Sequence, residues 1–172
     1  LGLVLIKVGR FIHDRLALNE INKTEQIKAR NITVGLVDAA GAIATAIVIR
    51  AVLLWVHGLN ISTFIAIIAG FLVSQAMLVL VTRLKERQYA SDNQDDSMQE
   101  AFANGQIALA IRYAGQVIST ALAVTAASHF LIYSPEALLS NLLGWFIFSI
   151  IMTILVAILT AIAKRIVLWG IN

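Results

Sequence analysis

The sequence predicts an all-α fold: an integral membrane helical bundle of two parallel-repeat transmembrane hairpins, four complete spans, preceded by the tail of another helix. Three observations lead there. Of the 172 residues, 59% are hydrophobic and only 13% charged, with a mean hydropathy of +0.85; soluble domains carry roughly 25% charged residues. The apolar residues fall into four runs long enough to cross a bilayer, divided by short polar turns. The stretch at 36–43 also reappears 74 positions later at 110–117, so that Ala40-Gly41 aligns with Ala114-Gly115, Thr45 with Ser119, and acidic Asp38 with basic Arg112.

The elements follow in chain order. Residues 1–6 are apolar without a basic leader, then Lys7, Arg10, His13, Asp14 and Arg15 intervene. This reads as the tail of an earlier membrane helix that turns amphipathic and runs along the surface through residue 21, within a longer chain. Asn22 with Glu25 has the pattern of a helix cap and opens the first repeat, residues 22–82. Its first span covers about 32–56 and its second about 62–82, joined by a turn at 57–60. At about 1.5 Å per residue, 25 residues cross the roughly 30 Å of hydrocarbon with some tilt. Residues 83–95 form a polar linker running from basic Arg83, Lys85 and Arg87 to acidic Asp92 and Asp95. Asp96 and the sequence Ser97 to Glu100 repeat the cap and begin the second repeat, 96–163, with spans at about 106–132 and 138–163 around a turn at Pro135. Residues 164–172 are a tail or the start of a further segment.

Charge sets the expected orientation. Every Lys and Arg except Arg50 and Arg112 lies on the side holding the linker and both ends, and the hairpin turns carry none. The positive-inside bias places that side in the cytoplasm. Two hairpins of like orientation are parallel repeats related by an axis along the membrane normal.

Candidate functional residues are few. Asp38 and Arg112 each sit about six residues inside their spans, where an unpaired charge is expensive; pairing across the repeat axis is expected, as a structural tie or part of an ion pathway. Gly35, Gly41 and Ala42 in the first span, and Gly115, Ser119 and Ala123 in the third, have the spacing of small residues that let helices approach closely. Gln75, Gln116 and Ser149 are intramembrane polar residues suited to hydrogen bonds between helices. Arg50 is placed to snorkel to the outer headgroups. His57 and His129 lack neighbouring ligands, so no metal is expected, and the absence of cysteine excludes thiolate sites and disulfides. No carboxylate dyad, nucleophile elbow or phosphate loop is present, so neither catalysis nor a cofactor is expected. Facing anionic lipid accounts for the formal charge of +3, and no nucleic-acid partner is expected.

A hairpin entered through Lys28-Ala29-Arg30-Asn31, followed by a span containing Ala39-Ala40-Gly41 and repeated through Ala103-Asn104-Gly105 and Tyr113-Ala114-Gly115, resembles the bacterial YjfL family of uncharacterised inner-membrane proteins. The resemblance covers about residues 20–163. It implies a multi-pass protein of the bacterial inner (plasma) membrane, a tandem two-helix repeat, and company with stress systems built around phage-shock-type peripheral cytoplasmic proteins. The leading expectation is a non-enzymatic structural or membrane-stress partner of other membrane-associated proteins, its own partners being the lipid bilayer, further copies of itself or other membrane proteins. The alternative is a small ion channel or transporter with Asp38 and Arg112 on its pathway.

Overall fold

The computed structural model describes residues 2–17, 19–94 and 96–169, and among these every regular element is helical. Among the described residues there are eight α-helices, α1 (Gly2–Ala17), α2 (Lys23–Lys28), α3 (Ile32–Trp55), α4 (Ile61–Asp92), α5 (Met98–Ala103), α6 (Ile107–Thr125), α7 (Ala127–Phe130) and α8 (Leu138–Trp169), with a short 3-10 turn at Pro135–Ala137. Four stretches, Ile32–Trp55, Ile61–Asp92, Ile107–Phe130 and Pro135–Val167, are long and apolar enough to cross a membrane. The fold is the expected all-α bundle.

The short helices are set by local chemistry. The Asn22 side chain accepts the Glu25 N–H at the start of α2, and Ser97 accepts the Glu100 N–H at the start of α5. Both helices end alike. After α2, Arg30 takes φ +60°, with Arg30 N–H donating to Ile27 O and Asn31 N–H to Gln26 O, each at 3.0 Å. After α5, Gly105 takes φ +80°, with Gly105 N–H donating to Phe102 O and Gln106 N–H to Ala101 O, each at 3.1 Å. These are two Schellman turns, each feeding straight into a long helix.

This equivalence corrects the repeat register. Asn22 matches Ser97, Arg30 matches Gly105 and Asn31 matches Gln106, a separation of 75 positions rather than 74. Because α3 and α6 run uninterrupted from those caps, Asp38 corresponds to Tyr113 and Arg112 to Val37. The Ala-Gly match that suggested 74 is a composition match one residue out of structural step.

Packing is built around α3 and α6, the most extensive helix pair; α1 and α4 lie against α3, and α8 against α6 and α4. Val34, Val37, Ala44, Val48 and Val52 of α3 and Tyr113, Val117, Ala121 and Val124 of α6 belong to one continuous core. At the hairpin ends, Trp55 sits 4.7 Å from Trp145 and 5.3 Å from Tyr133 between ring centroids, and its indole N–H donates to Leu131 O at 2.9 Å. Aromatic residues there fill the space that short turns leave and satisfy a backbone carbonyl.

Two segments differ from expectation. α1 is one helix packed along α3 and α4, with Leu5 and Gly9 buried, rather than a helix leaving for the surface. Its register is antiparallel to α3, since Gly9 lies beside Thr45 and the later His13 beside the earlier Gly41. The polar stretch 83–95 is largely helical, because α4 continues to Asp92 after its apolar part ends. Leu18, Asp95 and the last three positions of the expected tail lie outside the described residues.

Candidate functional site: a charged cluster where α1, α2 and α3 meet

Asp38 lies about two turns beyond the cap of α3, and Asn31 fixes that start by accepting the N–H groups of Thr33 and Val34. The Schellman turn then lays α2 back so that Lys23 reaches the same spot. Lys23 Nζ donates to Asp38 Oδ1 at 2.8 Å and to both oxygens of Asp14 at 2.7 Å, while Arg10 Nη2 donates to Asp38 Oδ2 at 3.2 Å. Two carboxylates and two cations from three helices thus neutralise one another. Lys23 and Asp38 are the inner pair, with side chains 16% and 18% exposed; Arg10 and Asp14 cover them from outside. Such a half-buried network is worth more than an isolated surface pair, because each charge has a partner and little water competes.

Immediately inward, His13 packs on Gly41. A Cβ added at Gly41 would run into His13 Nε2, and one at Gly9 into Thr45 Cγ2. The two helices therefore cross through reciprocal notches, Gly41 receiving His13 and Gly9 receiving Thr45. Among the described residues His13 Nε2 and Gln75 Nε2 are buried without a hydrogen-bond partner, and Gln75 lies close to the Gly9 notch.

The structure separates the residues the sequence joined. Arg112 is not the partner of Asp38; it is exposed on α6, beside Lys85 and Gln116 in a cleft toward α8. The physical reason is its place on α6: Ala110, Tyr113 and Ala114 form the buried side of that stretch, and at about 100° per residue Ile111 and Arg112 fall on the exposed side. Of the expected packing residues, Gly41 and Ala123 are buried and Ala42 and Ser119 half-buried, but a Cβ at Gly35 or Gly115 would meet nothing within 4 Å. Gly115 faces open space instead of a helix. Close approach occurs at Gly70, where a Cβ would fall 2.7 Å from Val52 Cγ1, as well as at Gly9 and Gly41.

Ser149 does bridge helices, its hydroxyl donating toward Val124 O and Trp145 O, both at 2.8 Å. Gln116 lines the cleft and Gln75 Nε2 has no partner among the described residues, so neither amide is seen there to tie helices as expected. The bond missed in the sequence is Trp145 Nε1–H to Ser74 Oγ at 3.1 Å, wholly buried between α8 and α4. Arg50 is exposed and lines a cavity of about 290 Å³ with His129. Among the described residues no group of His, Cys, Asp or Glu is arranged to hold a metal.

Taken together, the four apolar spans and their shared core define a membrane-embedded, all-α helical protein. More particularly, residues 1–53 match the family described as Domain of Unknown Function (DUF350). That match lies over α1, α2 and most of α3 and takes in all four members of the charged cluster, whereas the resemblance read from the sequence ran from about residue 20 to 163. No curated protein and no solved structure matches the chain.

Proposed function

We propose that this is a non-enzymatic protein of a bacterial inner membrane, its basic end in the cytoplasm, acting as a structural or stress-related partner of other membrane proteins or of further copies of itself. The observation that carries this reading is α8. Its span has a mean hydropathy of 2.8, yet only 6% of its most apolar window is buried, and from Ile154 through Ile166 most side chains are exposed. A stripe of Ile154, Ile158, Leu159 and Ile162 faces away from the bundle and suits a neighbouring helix. The charged cluster supports the same reading, since its charges satisfy one another and hold α1 to the first repeat. Membership of the YjfL family, with its peripheral stress proteins, belongs to this proposal.

The test is a photo-reactive residue at Ile158 or Leu159 in the full chain in native membranes. Protein adducts are expected; adducts to lipid alone would overturn the partner role. A second reading, a small channel or transporter, is favoured by the unpartnered His13 and Gln75 groups just inside the cluster. Proteoliposomes with ion flux that Asp38→Asn alters would establish it.

A further inference from the structure

Between α4, α6 and α8 at the basic end lies a cleft of about 520 Å³, within the roughly 300–1,000 Å³ typical of small-molecule sites. Its mouth carries three cations, Lys85, Arg112 and Lys164, one from each helix. Lys85 lies about 36 Å along α4 from Ile61 and Lys164 about 39 Å along α8 from Leu138, at 1.5 Å per residue. Both therefore sit at or beyond the edge of a hydrocarbon layer of about 30 Å, at headgroup level. Among the described residues no acidic side chain lines the cleft; Asp92 lines the adjoining cavity of about 260 Å³, which shares Lys85 and Arg112.

Further in, the walls change character. Gly115 leaves an open floor, and Val156, Ala157 and Ala161 form the α8 side. The hydroxyls of Ser119, Thr153 and Thr160 donate to carbonyls of their own helices, at 2.9, 2.7 and 2.7 Å, so their protons are already engaged. Donors for a ligand are thus concentrated in the three cations and the Gln88 and Gln116 amides, Lys85 also donating to Gln88 Oε1 at 3.0 Å, while the interior suits an aliphatic chain. A cationic mouth over an apolar trough, open to the bilayer and at headgroup depth, matches one chemistry.

We infer that this cleft binds one anionic phospholipid, its phosphate held by Lys85, Arg112 and Lys164 and one acyl chain lying along Gly115 and Ala157. The site does not rest on the proposed partner role, which uses the opposite face of α8. It also gives Arg112 a task independent of Asp38.

The experiment uses the full chain, exchanged into nanodiscs of phosphatidylglycerol and phosphatidylcholine, extracted in mild detergent and weighed by native mass spectrometry. One phosphatidylglycerol is expected to stay bound where phosphatidylcholine is lost. Each neutralised charge should weaken retention roughly fivefold, so Arg112→Gln with Lys164→Gln should lower it about 25-fold. Gly115→Leu, which fills the open floor, should expel the lipid while helical content and melting temperature stay unchanged. Arg50→Gln, at the other end, should alter nothing. Equal retention of the two lipids, or retention indifferent to both the double variant and Gly115→Leu, would overturn the site. So would efficient self-cross-linking of a Gly115→Cys variant, which in this cysteine-free chain would put a second copy in the cleft.

Discussion

Single side chains divide sharply into those that hold the bundle and those that face out of it. Asp38 belongs to the first group, and removing its carboxylate leaves Lys23 with only Asp14. Asp38→Ala should therefore destabilise by an amount between the roughly 1 kcal/mol of exposed pairs and the 3–5 kcal/mol of fully buried ones. Arg112→Ala should change stability by less than about 0.5 kcal/mol, as expected for an exposed residue outside any network. Thermal unfolding in detergent checks both, and equal losses from the two would restore the pairing the structure contradicts. Gly41→Ala should cost about 1–3 kcal/mol by overpacking against His13, and His13→Ala in the same chain should recover part of it. The sequence made Asp38 visible, because a carboxylate in an apolar run is conspicuous. It did not make its partners visible: Lys23 and Arg10 lie outside the run, and only the turn after α2 and the antiparallel path of α1 bring them in.

At the level of elements, the caps carry more than helix starts. Asn31 Nδ2 donates to Ala103 O at 2.8 Å, so the residue that begins α3 also fastens the end of α5. Asn31→Ala should cost about 1–2 kcal/mol, the upper range for a cap, since both roles go at once. The paired Schellman turns make opposite forecasts for introducing and for removing glycine at the equivalent positions. Arg30→Gly should stabilise by up to about 1 kcal/mol by relieving a left-handed conformation, and Gly105→Ala should destabilise by about as much. Melting curves of the two variants, expected to shift in opposite directions, test the structural equivalence directly. Four spans, their approximate bounds and both caps were legible from hydropathy and from Asn and Ser placed before Glu. The step of the repeat was not, because small residues recur every three or four positions and allow a false match one residue away. The linker was misread for a related reason: polarity marks where a helix leaves the membrane, not where it stops.

Across the whole molecule, the two repeats meet chiefly through α3 and α6, while α8 closes over α4 through Trp145 and Ser74. Trp145→Phe would leave the Ser74 hydroxyl without this bond, and a loss of about 1–2 kcal/mol is expected, read as a lower melting temperature. The parallel arrangement makes a topological forecast as well: a reporter fused near Pro135 should lie outside the cell and one near Asp92 inside. Class and span number could be read from composition and hydropathy alone. How the spans divide between core and open surface could not, since a lipid-facing isoleucine and a core-facing one look the same in a hydropathy profile.

The dominance of the α3–α6 contact also has a consequence in time. Val37, Ala44 and Val48 wait for partners that lie about 75 residues later in the chain, and at roughly 5–20 residues per second that is about 4 to 15 s of synthesis. During that interval the first hairpin sits in the bilayer with its mating surface uncovered, able to pair with the first hairpin of another nascent chain. Conditions that slow translation between Trp55 and Ile107 should therefore raise the yield of interlocked chains, a biosynthetic vulnerability inherent in building one bundle from two separately inserted halves.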